Sequence, residues 1–138
     1  NWLPRMARGE LVGAIAMTEP GAGSDLKGIR TKAVLEGGEY VVNGSKTFIT
    51  NGWNCDLVIV VAKTDPAKGA HGGISCFMVD MKTPGVVAKP FLTIGGTPAF
   101  SETFFDNAVV PRDNLVGPLT GGCVRSWPRC KSGTRRVA

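Results

Sequence analysis

Short strand-like segments recur along this chain at nearly even spacing, separated by glycine, proline, asparagine and aspartate, and that rhythm limits the folds open to it. Leu57 to Lys63 is a continuous apolar run (Leu-Val-Ile-Val-Val-Ala-Lys), short enough for a central strand. Ile74 to Val79, Val86 to Leu92 and Phe100 to Val109 follow, divided by a glycine-rich loop over residues 65–73 and by Thr83-Pro84-Gly85. Ahead of that run, Leu11 to Met17 reads as a buried strand. Ile29 to Glu36 alternates, with Ile29, Thr31, Ala33 and Leu35 on one face and Arg30, Lys32 and Glu36 on the other. Gly37-Gly38 turns it into Glu39 to Asn43. About seven strands at this spacing predict an all-β fold, an antiparallel barrel or sandwich. No Gly-x-Gly-x-x-Gly follows a strand and opens a helix, so a Rossmann site has no support.

Size and charge narrow the function classes. A chain of 138 residues suits one domain and buries roughly two-thirds of its unfolded surface. It has no long apolar span and no readable signal peptide, which points to a soluble protein without a membrane span. It begins with Asn1 rather than Met, and reads as a fragment. The formal net charge of +5 is supplied by Arg125, Arg129, Lys131, Arg135 and Arg136, so residues 1–117 sum to zero. Residues 1–117 carry no basic stripe with interleaved aromatics, which argues against nucleic acid as a partner. The cysteines Cys55, Cys76, Cys123 and Cys130 form no Cys-x-x-Cys pair, and the single histidine, His71, sits in the glycine-rich loop, where a solvated role is expected. No metal site is expected. Cys55 and Cys76 read as small buried hydrophobes, in a reducing compartment.

Between the first two strands lies a bend from Ala16 to Gly28, Ala-Met-Thr-Glu-Pro-Gly-Ala-Gly-Ser-Asp-Leu-Lys-Gly. Gly21 and Gly23 can take positive φ and admit a close ligand, and Pro20 stiffens the approach. Thr18, Ser24 and Asp25 add two hydroxyls and a carboxylate, which suits an anionic or carbonyl-rich ligand. Asp25 is expected to tie the loop through nearby N–H groups, and Glu19, inside the bend, reads as structural rather than as a base. Glu39 to Thr50 reads as a hairpin with two open registers. A loop centred on Asn43-Gly44 pairs Val41 with Lys46. One centred on Gly44-Ser45 pairs Val41 with Phe48 and is favoured by its apolar partners, with Gly44 first in a type II′ turn. In either, Phe48 and Thr50 share a face and Ile49 takes the other. A flat ring beside a hydroxyl suits a planar aromatic ligand with a polar edge. On the residues alone, Phe48 is more readily a core side chain, Thr50 an ordinary strand former and the glycines a tight turn.

Two blocks carry a resemblance. Ala16-Met17-Thr18-Glu19, then Pro20-Gly21, then Ala22-Gly23-Ser24-Asp25, with Gly28 three further on, resembles the first signature of the acyl-CoA dehydrogenases. Asn43 to Gly52 (Asn-Gly-Ser-Lys-Thr-Phe-Ile-Thr-Asn-Gly) resembles the same family's flavin-facing hairpin, at a fitting distance. The resemblance covers residues 1–117 and is closest to members acting on fatty acyl chains. It implies the family's β-barrel middle domain over 14–117, preceded over 1–13 by the end of a helical region, where Pro4 and Gly9 limit any helix. It implies FAD, held by Met17, Thr18, Ala22, Gly23, Ser24, Phe48, Ile49 and Thr50. Thr18 and Thr50 would bond the flavin's polar edge, and Phe48 would lie against the ring where many relatives have Trp. Ser24 matches a position between the flavin and the thioester end of the substrate.

The reaction so implied is α,β-dehydrogenation of an acyl-CoA to the trans-2-enoyl-CoA, with electron-transferring flavoprotein as acceptor. The full-length protein would be a homo-oligomer of the bacterial cytoplasm or mitochondrial matrix. The family's catalytic carboxylate comes from a C-terminal helical domain, so no catalytic residue is assigned within this chain. Alone, it is expected to bind FAD weakly and to be inactive. An acyl-CoA oxidase or nitroalkane-oxidising domain, or a β-barrel binding module without chemistry, are the alternatives. Residues 118–138, with Gly121, Gly122, Pro128 and Gly133, depart from the family pattern and read as a divergent basic tail, non-native or frame-altered and poorly ordered.

Overall fold

A computed structural model describes residues 2–68 and 73–120. The expectations for His71, Cys123, Cys130 and the tail from 121 onward lie outside these residues. Among the described residues, one short α-helix, α1 (Leu3–Ala7), is followed by eight strands: β1 (Gly13–Ala16), β2 (Lys32–Glu36), β3 (Glu39–Thr50), β4 (Leu57–Lys63), β5 (Ile74–Asp80), β6 (Val86–Phe91), β7 (Phe100–Val110) and β8 (Leu115–Val116). Pro4 lies in the first turn of α1, and Gly9, at φ 73°, lies just past its end, the placement that starts and stops a helix of this kind. No described helix is long and apolar enough to cross a membrane.

The strands form one sheet in the order β6-β7-β3-β2-β4-β5-β8, with β1 on β4. Most neighbours are antiparallel, but β1 and β2 both run parallel to β4. Gly13 to Ala16 pair with Leu57 to Val60, and Lys32 pairs with Lys63, so β1 and β2 share one edge of β4 in succession. The bend of residues 17–31 fills the gap between them. β4 is buried on both faces, which is why it reads as an unbroken apolar run. Val58, Val60 and Ala62 join Tyr40, Val42, Phe77, Phe105 and Val110 in the main core. Val61 meets Ala22, Ile29 and Cys76 in a second cluster under the bend. Tyr40 and Phe77, ring centroids 4.7 Å apart, tie β3 to β5 through that core.

The expected turn at Gly37-Gly38 forms, with φ 58° and 93° and Glu36 opposite Glu39, as a two-residue loop with both angles positive. The expected hairpin within Glu39–Thr50 does not form. These twelve residues are one strand, paired along its length with β7. The long partner keeps β3 extended, and two bulges, at Val42/Gly44 and Lys46/Ile49, take up the irregularity. Asn43 and Asn107 exchange hydrogen bonds across the first bulge, Asn107 N–H donating to Asn43 Oδ1 at 2.8 Å. Gly44 is glycine for close approach, since a Cβ there would lie 2.6 Å from the Thr31 Cα. Leu35 also departs from its expected burial. It sits opposite buried Tyr40 but near the hairpin tip, and is 48% exposed.

Candidate functional site

The site begins with the second bulge. Lys46 and Thr47 are both buried, breaking the alternation, and Phe48 follows with φ 56°, a left-handed backbone that a bulky residue rarely adopts. The bulge turns the Phe48 ring outward, where it is 62% exposed. There it stands edge-on to Phe91 and Phe100. Thr50 is exposed and Ile49 buried, as strand period requires.

The bend is bonded directly to this bulge. Thr47 N–H donates to the Thr18 carbonyl at 2.9 Å, and the Lys46 ammonium donates to the Met17 carbonyl at 3.0 Å. The same ammonium lies 2.9 Å from Glu19 Oε1. Glu19 also accepts from the Arg30 N–H at 2.6 Å and the Thr31 N–H at 3.0 Å. Burial would raise the Glu19 carboxyl, but the bonds from Thr31, Arg30 and Lys46 outweigh it and hold it below its ordinary value. Burial pushes the Lys46 ammonium down against the opposing pull of Glu19. Glu19 is thus a knot in the backbone, with its oxygens occupied. Its own turn is closed by paired backbone bonds between Glu19 and Ala22.

These contacts open a cavity of about 800 Å³ between the bend, the bulge, α1 and β4. Met17, Thr18, Phe48, Ile49 and Thr50 all line it. The remaining lining is mostly aliphatic, from residues such as Met6, Ile15, Ile59 and Met78, with Asn51 beside Thr50. A long apolar wall with hydroxyls at one margin can hold a planar ring system by its faces and bond its edge.

The other expected contacts stand apart from the cavity lining. Ala22 is buried in the second cluster, while Gly23 and Ser24 are exposed on the bend. Gly21 and Gly23 do not take the positive φ allowed for them, and a Cβ on either would meet nothing within 4 Å. Asp25 caps the 3-10 turn of Leu26–Gly28 by accepting from the Lys27 N–H at 3.1 Å. Sequence reasoning missed Lys46, whose partners lie far back in the chain, and the lining residues Met6, Ile59 and Met78. Only the presence of a lysine inside an otherwise inward-facing strand pattern pointed to the first. No group of His, Cys, Asp or Glu among the described residues could hold a metal ion.

Residues 14–108 match the family described as acyl-CoA dehydrogenase, middle domain. The chain is 47% identical over 125 residues to the mitochondrial long-chain specific acyl-CoA dehydrogenase of Rattus norvegicus, an alignment covering 88% of this chain and 29% of that protein. Among solved structures, it superposes on an acyl-CoA dehydrogenase from Geobacillus kaustophilus with a TM-score of 0.84 and 50% identity, covering 90% of this chain and 33% of that one. A chain from a structure of the electron transferring flavoprotein of Acidaminococcus fermentans, solved towards a mechanism of flavin-based electron bifurcation, matches with a TM-score of 0.82 and 41% identity, covering 88% and 32%. The chain therefore spans about a third of the length of these relatives.

Proposed function

Because the chain belongs to the acyl-CoA dehydrogenase family, of which it carries the middle domain, we propose that its cavity is one wall of a flavin site serving acyl-CoA dehydrogenation. The observation that carries this reading is the meeting of Met17, Thr18, Phe48, Ile49 and Thr50, from two separate sequence blocks, around one apolar cavity. The fit to FAD is chemical. Thr18 and Thr50 offer hydroxyls to a carbonyl- and nitrogen-bearing edge, each bond worth about 1 kcal/mol and more where negative charge collects during reaction. The Phe48 ring covers a flat face and excludes water. Gly21 and Gly23 have ordinary backbone and open space, so the chain's own packing gives no reason for glycine there. A ligand lying against the bend gives one, and Ser24 beside them would meet the thioester end of the substrate.

When bound, FAD supplies the two-electron acceptor for converting a saturated acyl-CoA to its trans-2-enoyl-CoA. Removing the α-proton needs a base held within reach. No Asp, Glu or His is among the described residues lining the cavity, and the Glu19 oxygens are occupied by Arg30, Thr31 and Lys46. This chain's part is to bind, orient and keep water out, and the base belongs to a part of the whole protein outside this chain. Electron-transferring flavoprotein is the acceptor we assign, in keeping with the Acidaminococcus relative.

Titrating FAD into isotopically labelled chain tests the reading. Resonances of Thr18, Phe48 and Thr50 are expected to move together and saturate, while that of Phe77 in the core stays in place. Saturable shifts confined to other residues would remove it.

A further inference from the structure

We propose that Lys46 and Glu19 are a positioning pair that sets where the cavity's hydroxyl margin stands relative to Phe48. Two consecutive residues of β3 grip two consecutive residues of the bend. Lys46 Nζ holds the Met17 carbonyl at 3.0 Å, and Thr47 N–H holds the Thr18 carbonyl at 2.9 Å. The next residue of β3 is Phe48, displayed by its left-handed bulge. The spacing between the Thr18 hydroxyl on the bend and the ring and hydroxyl of Phe48 and Thr50 on the strand thus depends on this double grip.

Glu19, on the same outgoing limb as Met17, completes the pair by reaching the returning one. It accepts from Lys46 and from the N–H groups of Arg30 and Thr31, where the chain returns to β4. One buried ion pair therefore fastens the outgoing limb of the bend at Met17 and the returning limb at Thr31 to the same point on β3. A buried lysine and glutamate are a costly way to fill a core, and a pair of apolar side chains of like volume often serves stability as well or better. What apolar side chains cannot do is hold three backbone groups in one fixed geometry. The pair's distinctive effect is register between the bend and the bulge of β3, and Met17 and Thr18 of the one and Phe48 to Thr50 of the other line the cavity.

The functional consequence rests on the flavin reading, whereas the geometric one does not. Two measurements separate them, made on the unmodified chain and on the double variant Glu19→Gln/Lys46→Met, which removes both charges together. Amide hydrogen exchange at Thr47 reports the grip on Thr18 directly, and exchange at Val60 in β4 reports global stability. Exchange at Thr47 is expected to quicken about tenfold more than at Val60, the scale of one charge-assisted bond, and FAD affinity to fall by a similar factor. Equal quickening at both amides would overturn the inference. FAD affinity unchanged despite faster Thr47 exchange would overturn its functional half. Selective quickening in a chain whose unmodified form binds no FAD would uphold the pair and remove the flavin reading. If the double variant does not fold, Lys46→Arg carries the test. It keeps the charge opposite Glu19, but its larger planar head cannot seat on the Met17 oxygen in the same place. The same selective quickening is then expected, and equal quickening is again the contrary result.

Discussion

Phe48 and Phe91 meet edge to face, ring centroids 5.5 Å apart with planes at 89°. Phe100 lies flat against Phe91 at 6.2 Å and edge-on to Phe48 at 6.4 Å. An exposed ring on a strained bulge would otherwise swing freely. Here two rings from the neighbouring hairpin of β6 and β7 fix its direction.

Phe91 is not among the cavity's lining residues, so its replacement tests whether the Phe48 orientation matters. Edge-to-face pairs contribute about 0.5–1.5 kcal/mol beyond burial. Phe91→Ala is therefore expected to weaken FAD binding roughly threefold to tenfold. Flavin fluorescence titration checks this, and an unchanged affinity would mean that Phe48 needs no support.

Gly44 distinguishes the bulge from the turn that its sequence suggests. At the first position of a type II′ turn, a Cβ would strain only the backbone. In the fold described, it would also strike the Thr31 backbone and side chain, with the Thr31 Oγ1 at 2.5 Å. Gly44→Ala is expected to cost about 2 kcal/mol or more in urea unfolding. A change within about 0.5 kcal/mol would argue that Thr31 does not pack against Gly44 here.

The buried pair sets a pH dependence whose sign follows from its environment. The Glu19 carboxyl lies below its ordinary value of 4.5 when folded, so the unfolded chain takes up the proton first. Stability from Glu19 is full above that ordinary value and is lost as pH falls through the folded one. Lys46 lies below its ordinary value of 10.5, so its contribution also rises with pH, on the alkaline side. Urea midpoints between pH 6 and pH 3 are expected to fall less steeply in Glu19→Gln than in the unmodified chain. Parallel slopes would show that Glu19 titrates normally.

No Asp, Glu or His is among the described residues lining the cavity, and the consequence is measurable. Purified chain with FAD and a saturated acyl-CoA is expected to give no reduction of an artificial dye. Turnover above the protein-free rate would place a base within these 138 residues.

What the residues revealed, and what they hid, follows from the range of each signal. The doubly buried β4 and the turn at Gly37-Gly38 were legible because apolar runs and paired glycines are local signals. That Phe48 and Thr50 share a side held as well, since strand period survives even a misread connection. Gly44-Ser45 misled because a glycine that opens a tight turn also permits a bulge. The choice between them belongs to β7, which lies some sixty positions further along. Leu35 kept its face but not its burial, because a hairpin tip runs past the core. Lys46 drew no role of its own because its partners, Glu19 and Met17, come from a different block. The glycines of the bend were recognised, but for a φ they do not adopt.

A single titration asks whether the strained surface of β3 and the bend together hold a flavin. FAD is added to the unmodified chain, to Phe48→Ala and to Thr50→Val, with urea midpoints measured on the same samples. Saturable quenching of flavin fluorescence is expected in the unmodified chain. Affinity should fall about fivefold for each variant, while the unfolding free energy shifts by no more than about 0.5 kcal/mol in Thr50→Val and by about 1–3 kcal/mol in Phe48→Ala, which also loses its ring contacts with Phe91 and Phe100. Midpoints that move while the quenching curves coincide, or no saturable quenching at all, would contradict the flavin reading.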